Sequence, residues 1–172
     1  SYKLLIHQSI QQLNLASEHI EILRKEMNQL ASTLPEYDTV MSIYGVGETY
    51  GPQLIAEIGD VSRFTHREAI TAFAGVDPGV NESGQFRQRS NRASKNGSTK
   101  LRKTLFQIMT TYLQNKPVNE PVYQFLDRKR AEGKPYLVYM TAGANKFLRI
   151  YYGKVKECLH NLEQDSLPPE ES

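Results

Sequence analysis

The chain has 172 residues, a net charge of +2, one cysteine (Cys158) and an apolar share of 39%. That length fits one domain, or one domain with an appendage, at roughly 100–200 residues per domain, and an apolar share below the usual ~45–50% suits a surface-rich, elongated molecule. A lone cysteine excludes an internal disulfide framework and a thiolate metal cluster, and with no signal peptide and no run near the ~18 apolar residues of a membrane span, a cytoplasmic protein is expected.

Residues 2–34 read as one helix. Ile6, Leu13, Ala16, Ile20, Leu23, Met27, Leu30 and Leu34 recur at three-four spacing, with Ser9 the weak position. This is the seam of a coiled coil over about four heptads, and at ~1.5 Å per residue the helix would be a rod of roughly 50 Å. Such a seam predicts a partner helix, hence a homo-oligomer, a dimer in the simplest case, or an arm between two domains. The alternative is a helix packed along its own domain. The chain opens at Ser1 inside this pattern, as a piece of a longer protein would.

A short helix over 36–43 leads into Gly45-Val46-Gly47, and a second helix runs to about Ile58 with Pro52 in its first turn. Helix, G-hydrophobic-G turn and helix form a helix-hairpin-helix pattern. Glycines let backbone approach a phosphate closely, and the N–H groups opening the second helix then face that anion. The same sequence also serves as an ordinary tight turn. Thr65 and Glu68 fit a capping box for a helix over 66–74, and Gly75-Val76-Asp77-Pro78-Gly79 then breaks the chain.

The charge is unevenly placed. Between Asn81 and Lys103 lie seven basic residues, Arg87, Arg89, Arg92, Lys95, Lys100, Arg102 and Lys103, and one acid, Glu82, so this segment carries +6 while the rest of the chain sums to −4. Like charge packed into a Gly/Ser/Asn-rich stretch repels itself unless an anion meets it, and phosphate is the obvious candidate. The other reading is a solvated loop. A helix resumes from Ser98 to about Gln114, with Leu101, Leu105, Ile108 and Met109 inward. Lys100, Arg102 and Lys103 sit in its opening turns, where they oppose the helix dipole, and a bound phosphate would explain that placement. The predicted nucleic-acid contacts are thus Gly45, Val46, Gly47, Arg87, Arg89, Arg92, Lys95, Lys100, Arg102 and Lys103.

Asn119 and Pro121 open a further helix that Gly133 closes, and Pro135 starts the last one, to about Leu162, with Leu137, Met140, Ala144, Phe147, Leu148 and Tyr151 as its core stripe. The expected fold is mainly α. A coiled-coil helix (1–34) precedes a compact helical domain (35–163) with a helix-hairpin-helix-like element and one irregular basic loop, and a disordered acidic tail (164–172) ends the chain.

For chemistry, His7, His19, His66 and His160 are scattered, and Glu163 is the one nearby second ligand for any of them. A zinc site is therefore not expected, and no metal is assigned to these residues. Neither a P-loop nor a G-x-S-x-G elbow is present. Nucleophiles beside phosphate-binding groups remain: Ser83, Ser90, Ser94, Ser98 or one of the 10 tyrosines. Ser83 stands out in Glu82-Ser83-Gly84 at an exposed turn, with Arg87 and Arg89 behind it to neutralise transition-state charge. A serine alkoxide would still need a metal or an adjacent base, and Ser-Gly is also a common turn dipeptide.

Four stretches, in order over about residues 40–150, resemble a known family. They are Ile43-Tyr44-Gly45-Val46-Gly47 with Leu54-Ile55-Ala56-Glu57-Ile58-Gly59-Asp60; Arg63-Phe64 with Phe73-Ala74-Gly75-Val76-Asp77-Pro78; Glu82-Ser83-Gly84 with Ser94-Lys95-Asn96-Gly97 and Leu101-Arg102; and Ala142 with Lys146-Phe147-Leu148. Together they resemble the C-terminal transposase domain of the bridge-RNA-guided insertion-sequence recombinases, the transposase family numbered one hundred and ten. Val76 and Asp77 depart from the residues commoner before the family's proline.

The resemblance implies a bacterial, nucleoid-associated DNA recombinase that works with a guide (bridge) RNA as an oligomer. It implies an N-terminal RNase H-like domain whose D-E-D-D carboxylates bind Mg, and a serine nucleophile in the S-G pair that follows F-A-G-x-x-P, here Ser83. Nothing in the 172 residues resembles the D-E-D-D domain, so this chain alone is expected to be inactive. A non-enzymatic helix-hairpin-helix module binding DNA or RNA stays open as the second reading.

Overall fold

The computed structural model describes residues 1–77 and 97–166. Among them the fold is all helical: α1 (Tyr2–Ala31), α2 (Tyr37–Met41), α3 (Gly47–Ile58), a 3-10 turn (Val61–Arg63), α4 (Arg67–Ala74), α5 (Thr99–Asn115), α6 (Pro121–Ala131) and α7 (Tyr136–Asp165). No helix of the described residues is long and apolar enough to cross a membrane.

The first helix, α1, ends three residues before Leu34. Thr33 N–H bonds to Leu30 O and Leu34 N–H to Ala31 O, tightening the last turn, and Pro35 bars helical backbone at Leu34. Along its 30 residues, about 45 Å at ~1.5 Å each, Ala31 alone is buried. The seam residues face solvent, with Leu13 69% and Leu30 72% exposed. Among the described residues its C-terminal end docks against α3, with Tyr37 Oη donating to Asn28 Oδ1 at 2.8 Å. Among the described residues, α1 is therefore not packed along its own domain.

Three local expectations are corrected. The second hairpin helix starts at Gly47, so Pro52 is its sixth residue rather than a first-turn residue. It removes the N–H that would bond Glu48 O, a loss its burial in the core offsets. The cap of α4 is His66, whose Nδ1 accepts from Ala69 N–H at 3.2 Å, not Thr65. Glu68 consequently does not close a capping box but reaches Arg149 on α7 and Arg67 beside it. Leu137 lies outside the α7 core stripe at 62% exposure, because it sits with exposed Tyr136 and Val138 in a first turn that none of the described residues covers.

Helix α7 is the centre of the bundle and packs on α2, α4, α5 and α6. Met140, Gly143, Ala144, Phe147, Leu148, Tyr151 and Val155 form its buried stripe at helical spacing. At Gly143 a Cβ would stand 2.4 Å from Leu126 Cδ2, so glycine sets the close approach of α6. The inward face of α5 is as expected, with Leu101, Leu105, Ile108 and Met109 fully buried.

The tie between α4 and α7 titrates. The backbone N–H of Glu68 at the start of α4, and then the Arg67 and Arg149 guanidiniums, hold its carboxyl below the usual carboxylate range. A group with a lowered folded pKa stabilises above its unfolded pKa, and that contribution fades as pH falls through the folded value. Glu68→Gln is therefore expected to lower the unfolding midpoint slightly at pH 7, with a smaller difference from wild type at pH 3, since the contribution begins to fade below the ordinary glutamate value of about 4.3. Thermal melts of both proteins at the two pH values check this; an equal difference at both would mean that the carboxylate charge is not involved.

Candidate functional site

The N-terminal end of α5 is built by Ser98. Its Oγ accepts from Leu101 N–H at 3.1 Å, capping the helix, and approaches Glu57 Oε2 on α3 at 3.4 Å as donor. With its hydroxyl engaged in both bonds, Ser98 is a structural residue rather than a nucleophile. Beyond it Lys100 and Lys103 are exposed, whereas Arg102 is half-buried and donates from Nη1 to Ala74 O at 3.2 Å. Part of one predicted phosphate ligand is thus used to hold α4.

The residues on either side of 78–96 come together here. Ser98 N–H bonds to Phe73 O at 2.7 Å, Val76 N–H to Thr71 O at 3.1 Å, and Asn145 Nδ2 on α7 donates to Val76 O at 3.2 Å. Gly97 lies so close to α4 that a Cβ on it would stand 2.2 Å from Phe73 O and 2.4 Å from Gly75 N. Ser83, Arg87, Arg89, Arg92 and Lys95, with the turn expected at 81–85, lie outside the described residues, as do 167–172 of the expected tail.

An open groove of about 370 Å³ runs along the outer face of α5, lined by Thr99, Arg102, Lys103, Phe106, Gln107 and Thr110. Four of these, Thr99, Phe106, Gln107 and Thr110, were not predicted site residues. The available signal was Phe106, an aromatic residue on a face otherwise polar at helical spacing.

The Gly45-Val46-Gly47 hairpin is elsewhere. Gly45 has φ +79°, and its α-carbon faces Tyr112 and Ile108, with a Cβ placed 3.2 Å from the Tyr112 ring. Val46 is a core residue at 1% exposure. From Lys100 to Ile108 and Tyr112 is about 12–18 Å along α5, so the two predicted contact regions are not joined. Glu48 occupies the first turn of α3, and the sequence has no Lys or Arg between Lys25 and Arg63. Gly45 thus has both a left-handed backbone and a packing reason to be glycine, Gly47 (φ +54°) has open space around it, and the hairpin is acidic rather than basic.

Two tyrosines can also be weighed. Burial pushes the Tyr112 and Tyr151 hydroxyls far above the usual phenol range, and both are 1% exposed, which suits neither as a nucleophile. Among the described residues no three His, Cys, Asp or Glu side chains are grouped to hold a metal ion. Glu21 is paired with Arg24 on the exposed face of α1, and His160 contacts Gln164.

The family described as Transposase IS116/IS110/IS902 matches residues 37–124. The chain belongs to this transposase family. No curated protein matches it. The match in this insertion-sequence transposase starts at α2 and ends within α6, so it takes in the hairpin, the α5 groove and both flanks of 78–96, and it includes the position of Ser83. Both α1 and α7 lie outside it, although α7 supplies the centre of the core and Asn145.

Proposed function

We propose that this transposase chain supplies the serine nucleophile of a DNA recombinase, with Ser83 as the attacking residue. The observation that carries the reading is the family match across 37–124, within which Ser83-Gly84 follows Phe73-Ala74-Gly75 and Pro78. In the step proposed, Ser83 Oγ attacks a backbone phosphorus. An Oγ–P bond forms, one bond from phosphorus to a deoxyribose oxygen breaks, the seryl proton passes to a base, and the leaving oxygen takes up a proton. One phosphoester replaces another, so reversal on a second strand rejoins DNA without ATP.

Arg87 and Arg89 are assigned to neutralising charge at phosphorus, with Arg92, Lys95, Lys100 and Lys103 along the backbone of DNA or a guide RNA. We place the main contact here rather than on Gly45-Val46-Gly47, whose surroundings are acidic and whose Gly45 has a packing role. This also weakens the reading as a non-enzymatic hairpin module. The described residues do not fit a Mg site. The D-E-D-D carboxylates are assigned to an RNase H-like domain beyond these residues, so the chain alone is expected to bind DNA without cutting it. Association through α1 would bring two nucleophiles into one assembly.

Trapping tests the assignment: a recombinase stalled on its DNA should yield a Ser83-containing peptide bearing a nucleotide, and a nucleotide on Ser90, Ser94 or a tyrosine would refute it. Binding offers an independent check. Neutralising Arg87, Arg89 and Arg92 together should flatten the plot of log affinity against log salt by up to about 2.7, at ~0.9 per phosphate contact. An unchanged slope would put the contact surface elsewhere.

A further inference from the structure

Arg63 and Arg67 stand on either side of His66, the cap of α4, and are held in different ways. Arg67 and, from α7, Arg149 both reach the Glu68 carboxylate. Arg63 is exposed, yet its Cζ stands 4.5 Å from the ring centroid of Phe64 and 4.5 Å from that of Phe73, two rings inclined at 54° with centroids 5.5 Å apart. The guanidinium is thus cradled by two aromatic faces, which attract a cation. Its Nη2 is pinned by Ile58 O at 2.8 Å, at the end of α3. Among the described residues Arg63 meets no carboxylate; Asp60, three residues before it, accepts from Ser62 N–H. A guanidinium has five N–H donors in a planar fork. Ile58 O takes one, and the others have no acceptor among the described residues.

Phe73 joins this arginine to the N-terminal end of α5. Its ring lies against Arg63, and its carbonyl accepts from Ser98 N–H at 2.7 Å. Ser98 in turn caps the helix that carries the exposed Lys100 and Lys103, and from Thr99 to Asn115 that helix has no acidic residue. We propose that Arg63 is a preformed ligand for a backbone phosphate of DNA, extending the contact surface of α5 across Phe73 to the corner between α3 and α4. This rests on the reading of the α5 lysines as DNA contacts. An arginine fork meets two phosphate oxygens at once, and a side chain ordered before the phosphate arrives loses less entropy on binding it. A contact of this kind fixes where the duplex lies and reads no bases.

The probe is duplex DNA of random sequence, titrated with the full chain at several salt concentrations. Arg63→Gln should weaken binding about 5–10-fold at ~0.1 M salt and flatten log affinity against log salt by about 0.9, the loss of one phosphate contact. Glutamine keeps an N–H donor for Ile58 O, so Tm should fall little. Arg63→Lys keeps the charge but neither the fork nor its stacking, so it should keep the wild-type slope and still bind more weakly than wild type. An unchanged slope in Arg63→Gln would overturn the proposal, and a lower Tm beside it would mark Arg63 as a tie between α3 and α4 alone. If Arg63→Gln does not fold, the lysine variant decides, and wild-type affinity there would overturn the proposal equally. So would a weakening confined to single-stranded RNA of the same length. Lys100→Gln with Lys103→Gln is run in parallel. A slope unchanged in that pair overturns the α5 contact on which the proposal rests, whereas a slope that falls there but not in Arg63→Gln overturns the role of Arg63 alone.

Discussion

Ser83→Ala should abolish strand exchange and the covalent DNA adduct in the assembled recombinase, a loss on the order of 10⁶-fold if it compares with removing the nucleophile of other covalent enzymes. DNA affinity should stay nearly intact, because one hydroxyl is lost and none of the +6 charge of the surrounding segment. Ser90→Ala and Ser94→Ala are the controls within that segment and should reduce activity far less. Ser98→Ala is a control of another kind. It removes the cap that accepts from Leu101 N–H and so costs about 0.5–2 kcal/mol of stability, visible in Tm, without removing a nucleophile. Adduct yield, filter binding and melting curves on the four variants separate these effects. Substantial recombination by Ser83→Ala, or loss of the adduct in Ser90→Ala or in a Tyr→Phe variant instead, would show the assignment to be wrong.

The second large effect belongs to α1. Changing Ile20 and Leu23 together to polar residues should convert a dimer to monomers. These side chains are 49% and 57% exposed among the described residues, and a partner helix would bury them. Four such side chains across a two-fold interface, at roughly 1 kcal/mol each for the area still exposed, amount to about 4 kcal/mol, or roughly a thousandfold in Kd. Leu15 and Ile22 are similarly exposed, at 54% and 49%, but lie off the three-four seam, so the same change there should leave the dimer in place. Sedimentation at several concentrations decides between the pairs. A chain that stays monomeric at high concentration with its seam intact would count against self-association through α1.

Much of the helical order was open to a sequence reading because its signals are local. Ser98 caps α5, Pro121 and Pro135 stand at helix starts, and Gly133 follows the end of α6. The stripe of α5 and the seam of α1 are periodic patterns of one element and need no partner to be recognised. The family resemblance was legible for the same reason, being a matter of which residues follow one another.

What only the tertiary structure decided depends on residues far apart in sequence. Glu68 looked like half of a capping box, yet a guanidinium 81 residues away takes it, leaving His66 to cap α4. Pro52 is tolerated inside α3 because the core surrounds it, and Leu137 stays exposed because no described residue packs over the first turn of α7. Gly45 suggested a phosphate turn from its neighbours, and the structure adds a second reason for glycine there, its φ of +79° beside the ring of Tyr112. Arg102 read as a phosphate contact and Asn145 carried no local signal, and folding set them on Ala74 O and Val76 O, 28 and 69 residues away. Composition and periodicity determine which segments become helices and which faces turn inward; where a polar group ends is decided by whichever donor or acceptor the packed helices bring within 3 Å or so of it.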